Sequence, residues 1–193
     1  IRMLPSASVM KFLKNVQQPQ TSILVLGNPD LKDSSLDLAG AQQEAIAIAK
    51  NQHNAKLLLR GKATETAVKT DAKLFKYLHF ASHGVFYDEA PLDSSLLLSA
   101  DAANDGRLTV NELYSLKLSA DLVTLSACET ALGKVANGDD VVGFTRGFLH
   151  AGANTIVSSL WKVDDEATNQ LMQIFYQNLN KMDKRSALTK AQL

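Results

Sequence analysis

Apolar positions along this chain follow two rhythms. Short continuous runs occur at Ser22 to Gly27, Leu57-Leu58-Leu59, Tyr77 to Ala81, Leu122 to Ser126 and Thr155 to Trp161. They lack the in-and-out alternation of a half-exposed strand, so each predicts a strand buried on both faces. Between them the period changes to that of a helix. Ala41, Ala45, Ile48 and Ala49 share one face of a segment from about Gly40 to Gln52, and Thr64 stands as a cap before Ala67 and Val68. Val141, Phe144, Phe148 and Leu149 form a stripe behind Asp139 or Asp140. A last long stripe, Ala167, Leu171, Ile174, Phe175 and Leu179, follows Asp164 or Asp165. Leu96-Leu97-Leu98 and the turn Asn104-Asp105-Gly106 predict half of a hairpin. Thr109 and Glu112 have the capping-box spacing that starts a short helix, with Leu113 and Leu116 inward.

Buried strands alternating with amphipathic helices define an α/β protein, a three-layer α/β/α sandwich around a mostly parallel sheet. No repeat, linker or low-complexity tract divides residues 1–193, which predicts a single domain. The segment Ser186 to Leu193 reads as the start of a further helix with no strand after it, as in a fragment cut before its last sheet element.

Composition narrows the function more by exclusion than by suggestion. Twenty basic residues balance twenty acidic ones with no basic run, so no surface favours a phosphate backbone, and nucleic acid is not expected as a direct partner. No apolar stretch approaches the roughly 20 residues that cross a bilayer, and no secretory signal stands at the start. One cysteine precludes an internal disulfide, which together with these absences gives a cytoplasmic expectation. Neither the dinucleotide fingerprint nor the P-loop spacing occurs, and no cofactor is expected.

The chemistry lies where two of the strands end. Ser82-His83-Gly84 follows one apolar run and Ala127-Cys128-Glu129 follows another. In a parallel sheet, ligands bind beyond the carboxyl ends of the strands. If the two runs are neighbours, about 4.8 Å apart, the only cysteine and a histidine meet at that rim, the minimum for thiol-based acyl transfer. A lone cysteine is usually a small buried hydrophobe, but Cys128 stands past a strand end, where packing does not account for it. Of the other histidines, His79, between Leu78 and Phe80, reads as a hydrogen-bonded interior residue. His53 belongs to a polar helix end, and His150 to a helix carboxyl terminus. A zinc site from His79, His83, Cys128 and His150 lacks any short ligand pair, and no metal is expected.

Four segments carry a family resemblance: Leu78-His79-Phe80-Ala81-Ser82-His83-Gly84, Leu125-Ser126-Ala127-Cys128-Glu129-Thr130-Ala131, Phe148-Leu149-His150-Ala151-Gly152-Ala153 and Ser159-Leu160-Trp161-Lys162-Val163-Asp164-Asp165. Together they resemble the CHAT domain, a caspase-like peptidase module often attached to tetratricopeptide repeats and related to caspases, gingipains and separases. The likeness runs from about Leu4-Pro5-Ser6 to the end of the chain and departs from the family at both ends, where family members carry further elements. It implies a caspase-haemoglobinase fold and a His83–Cys128 dyad, with the Gly84 and Cys128 backbone amides as the oxyanion hole. It also implies that Ser158 to Asp165 lines an extended peptide, so Ser158, Ser159, Trp161, Asp164 and Asp165 are its substrate-binding candidates. Asp165, or Asp164, stands where related enzymes hold a basic side chain before the scissile bond, yet both positions equally suit a helix cap and first turn. Trp161 reads as a groove wall or a core anchor.

The leading expectation is a cysteine endopeptidase acting on a protein or peptide partner, controlled by a tetratricopeptide repeat or other regulatory region of the parent protein. The alternatives are a catalytically silent scaffold that only binds through the groove, and a thiol acyltransferase or hydrolase acting on small substrates.

Overall fold

Five of the apolar runs pair in parallel to form the central sheet. The computed structural model describes residues 22–87, 89–126, 138–159 and 164–193, and of residues 138–142 and 165 the backbone alone. In chain order the main elements are β1 (Ser22–Gly27), α1 (Ala39–Lys50), β2 (Asn54–Leu59), α2 (Glu65–Asp71), β3 (Tyr77–Ala81), β4 (Gly84–Val85), β5 (Ser95–Leu97), β6 (Arg107–Thr109), α3 (Val110–Leu113), β7 (Leu122–Leu125), α4 (Gly138–Ala151), β8 (Ile156–Ser158), α5 (Asp165–Leu179) and α6 (Lys184–Ala191). The parallel sheet has the order β2-β1-β3-β7-β8, and β4, β5 and β6 form a separate antiparallel sheet. The chain steps outward from β1 to β2 and then returns across β1 to β3. Strand order therefore reverses between β1 and β3, and in such sheets the carboxyl ends at the reversal are where ligands bind.

The two faces of the sheet collect different partners. Leu24, Leu26, Leu78, Phe80, Val123 and Leu125 pack with Val68 of α2, Phe144 and Phe148 of α4, and the apolar residues of the small sheet. Ile23, Val25, Tyr77 and Leu122 face Ala45 and Ile48 of α1, Met172, Phe175 and Tyr176 of α5, and Ala187 of α6. Period-2 alternation along each strand sends successive side chains to these opposite layers, which is why the runs are apolar throughout.

Three expectations shift in detail. Ala167 and Ile174 were expected inward, but both are exposed, Ile174 at 42%, and Met172 and Tyr176 complete the buried face. Helix α4 begins at Gly138, so Asp139 and Asp140 stand inside its first turn and not before it. The Leu96–Leu98 excursion is half of a β5–β6 hairpin as expected, and it also recruits β4, a two-residue strand directly after His83.

Under the sheet lies a polar cluster that the apolar stripes conceal. His79 of β3 is fully buried, with Nε2 facing Glu44 Oε1 of α1 at 2.8 Å and Nδ1 3.3 Å from the Tyr176 hydroxyl of α5. Tyr176 donates that hydroxyl to Thr124 Oγ1 of β7 at 2.9 Å. Burial raises the Tyr176 phenol well above its ordinary pKa, which keeps it a donor. The group ties α1, β3, β7 and α5 together, and it confirms His79 as an interior residue.

Gly27 closes β1 where α1 crosses it. A Cβ placed there would lie 2.4 Å from the Ala45 Cβ, a clash with a residue that is itself completely buried. Gly27→Ala is expected to lower stability by about 1–3 kcal/mol through overpacking. An unchanged urea midpoint would show that α1 does not approach β1 this closely. Tyr176→Phe removes only the hydroxyl between His79 and Thr124, and should cost about 1–3 kcal/mol by leaving buried polar groups unpaired. Thermal denaturation of the variant checks this, and a wild-type melting point would contradict it.

Candidate functional site

His83 stands in the two-residue gap between the sheets. Ala81 ends β3 and Gly84 begins β4, and the His83 carbonyl accepts the Leu97 amide of β5 at 2.8 Å. That bond makes Gly84↔Leu96 the non-hydrogen-bonded pair of the ladder, and the amide of a residue in such a pair points away from its partner strand. The Gly84 N–H is thus directed away from β5.

The imidazole is held by backbone. His83 is 5% exposed, and its Nε2 lies 2.8 Å from the Leu36 carbonyl oxygen in the loop after β1. A carbonyl can only accept, so Nε2 carries the proton, and in the neutral ring Nδ1 presents a lone pair. That Nδ1 is buried and has no hydrogen-bond partner among the described residues. Chemically it is a lone pair free to accept a proton.

Other polar atoms at the same rim share this condition. The hydroxyls of Ser82, after β3, Ser126, after β7, and Ser159, after β8, are buried without partners among the described residues. Buried polar groups are almost always paired, so four orphaned atoms at the carboxyl ends of three adjacent strands mark a place suited to a ligand rich in hydrogen-bonding groups.

The remaining residues expected at the site divide into three groups. Cys128 and Trp161 lie outside the described residues, as does Glu129. Ser158 ends β8 in register with Leu125 of β7 and is half-buried, as is Ser159. Asp164 is the exposed N-cap of α5, its Oδ1 accepting the Ala167 amide at 2.9 Å, and Asp165 is the first residue of that helix. The capping role foreseen for this acidic pair therefore falls to Asp164.

Two contributors gave little warning in the sequence. The Leu36 carbonyl is backbone and leaves no compositional trace. Asn28 reads as part of a breaker cluster, yet it is 4% exposed at φ 46°, with its amide on the Ala81 carbonyl and its side chain holding Leu38. Its signal was the residue type, since asparagine is among the few non-glycine residues that tolerate the left-handed region.

The comparisons with known proteins agree with this architecture. The chain is similar to Tetratricopeptide repeat protein 28 of Mus musculus, 27% identical over 206 residues that cover 86% of this chain and 8% of that protein. The corresponding protein of Homo sapiens is 27% identical over 202 residues, covering 84% of the chain and again 8% of the relative. The chain thus spans less than a tenth of the length of these curated relatives. A family model described as the CHAT domain matches residues 1–193. With its parallel five-stranded sheet flanked by helices, the chain belongs to the CHAT domain family, within the caspase-like cysteine peptidases.

Proposed function

We propose that this domain is a cysteine endopeptidase in which Cys128 is the nucleophile and His83 its proton-transfer partner. The observation that carries this reading is a number. Strands β3 and β7 pair Tyr77 with Leu122, His79 with Thr124 and Phe80 with Leu125, each 45 residues apart. His83 and Cys128 have the same separation. The ladder continues past β7 in the Ser126 amide, which donates to the Phe80 carbonyl at 2.9 Å. Extended by two more residues in register, it would set His83 beside Cys128 at the roughly 4.8 Å spacing of neighbouring strands.

Such a pair carries out acyl transfer in two stages. The Cys128 thiol loses its proton to Nδ1 of His83, and the thiolate adds to the peptide carbonyl carbon. The oxyanion formed is stabilised by the Gly84 and Cys128 amides. Collapse of this intermediate breaks the C–N bond as His83 returns the proton to the departing amine. Water then hydrolyses the thioester, releasing the acid and restoring the thiol. The orphaned serine hydroxyls of the rim would meet the donors and acceptors of an extended peptide, laid along Ser158 and Ser159 in the manner of strand addition, with Trp161 beside it. Asp164 is engaged as a cap, which leaves Asp165 to receive a basic side chain. The relatives named for tetratricopeptide repeats favour a parent protein in which such repeats, as a regulatory partner, control this site.

A peptide acyloxymethyl ketone tests the dyad. Wild-type chain should be labelled on Cys128, and His83→Ala and Cys128→Ala should not. Mapping of new amino termini after exposure of a proteome to wild type and Cys128→Ala should reveal cuts that depend on the thiol and follow Arg or Lys. Absence of both labelling and cuts would favour a binding scaffold. Cuts without basic preference would remove Asp165 from the pocket.

A further inference from the structure

Three hydrogen bonds around His83 close into a ring. The His83 imidazole reaches the Leu36 carbonyl through Nε2 at 2.8 Å. Two residues before His83, the Ala81 carbonyl accepts the Asn28 amide at 3.0 Å. Two residues after Leu36, the Leu38 amide donates to Asn28 Oδ1 at 2.9 Å. Asn28 therefore bonds to the segments that carry both partners of the imidazole–carbonyl bond, the strand end through its backbone and the loop through its side chain.

From the interior the loop is held at few other points: the Asp30 amide donates to Ser99 Oγ at 2.8 Å, and the Leu38 side chain is buried with Ala41 and Ala81. Its residues 32–35 and 37 are exposed, and Leu36 and Asp37 bond back only to Asp33 and Ser34. From outside, Arg60 Nη1 meets Asp37 Oδ1 at 2.5 Å, an exposed ion pair, a kind that holds geometry only weakly. Leu38 is the N-cap of α1 and makes no side-chain capping bond, and Asn28 Oδ1 accepts its backbone amide, one of the donors the helix entrance leaves open. The second arm of that carboxamide, Nδ2, donates to Gln42 Oε1 at 3.3 Å and fixes its rotation. Among the described residues, the non-glycine positions with left-handed φ are Asn28, Lys32 and Arg60, and all three lie in or against this loop at the carboxyl rim of β1 and β2. Backbone strain of this kind persists where surrounding contacts over-determine it, often at functional sites.

We infer that Asn28 is a positioning residue for His83: its carboxamide sets the Leu36 carbonyl, which in turn holds the His83 ring as the Nε2–H tautomer with Nδ1 available to a reacting group. Asn28 itself touches nothing that reacts. The inference rests on the proposed dyad for its catalytic meaning, whereas the tautomer it requires can be measured without any turnover.

Side-chain nitrogen NMR of the full chain tests it, with the His83 signals assigned through His83→Gln. Asn28→Gly keeps a residue at ease at φ 46° and removes only the carboxamide. Asn28→Asp keeps the oxygen that accepts from Leu38, and the Gln42 carboxamide can turn to donate to it. Wild type and Asn28→Asp should show neutral His83 as the single Nε2–H tautomer, and Asn28→Gly should show a mixture of the two. Labelling of Cys128 by the peptide ketone should slow about 10–100-fold in Asn28→Gly, the scale of a misplaced reacting group, and recover in Asn28→Asp. A single unchanged tautomer in Asn28→Gly would overturn the inference. A tautomer that follows Asn28 while even wild type resists labelling would keep the inference and remove the proposed peptidase. Should Asn28→Gly fail to fold, hydrogen exchange in the wild-type chain decides. The Leu38 amide and the His83 Nε2 proton should open together within about threefold, as members of one cooperative unit. A Leu38 amide that exchanges like an exposed loop amide while the imidazole proton stays protected would overturn it.

Discussion

Strand β3, hydrogen-bonded in parallel on both sides, is the constraint on which the rest of this molecule depends. Its pairing with β1 brings the loop after β1, and with it the Leu36 carbonyl, over the strand end that becomes His83. Its pairing with β7 fixes an offset of 45 residues between the two strands. Side-chain period along a strand is 2, so a slip of one residue would turn every side chain of β3 to the other layer. His79 would leave Glu44 and Tyr176, and Leu78 and Phe80 would leave the core of the opposite face. Register at the rim is thus enforced by burial below it.

The buried polar groups of the sheet fall into two conditions. In the interior, His79, Glu44, Tyr176 and Thr124 sit against one another, His79 Nε2 at 2.8 Å from Glu44 Oε1 and the Tyr176 hydroxyl on Thr124. At the rim, His83 Nδ1 and the hydroxyls of Ser82, Ser126 and Ser159 have no partner among the described residues. An unpaired buried polar atom costs on the order of 1–3 kcal/mol. Four residues up the same strand from His79, the open atoms of the rim stand at the position where α/β sheets bind ligands.

Much of this architecture was legible in the sequence, and the reason is physical. Strands buried on both faces must be apolar throughout, so Ser22–Gly27, Tyr77–Ala81 and Leu122–Leu125 announced themselves, as did the capping box at Thr109 and Glu112. His83 stood out because a histidine past a strand end has no packing role. What stayed hidden depends on contacts distant in sequence. Glu44 shares the helical face of Ala41, Ala45 and Ile48 and is buried only because His79 waits opposite. Ile174 fits the apolar period of α5 but faces outward, because Tyr176 has the hydroxyl that the polar cluster needs. Strand β4 is two residues long and exists by virtue of the hairpin it joins. The ring through Asn28 uses two backbone carbonyls and one backbone amide besides its own, groups that every sequence contains.

The central claim is that the chain ends of β3 and β7 bring positions 83 and 128 together. A disulfide measures this directly, because it forms only when two Cα atoms lie within about 7 Å of each other, and the chain has one cysteine of its own. His83→Cys, oxidised at low protein concentration and examined by peptide mass spectrometry, should close an intramolecular bridge between positions 83 and 128. Two thiols that stay free, or that join only between molecules, would contradict the account.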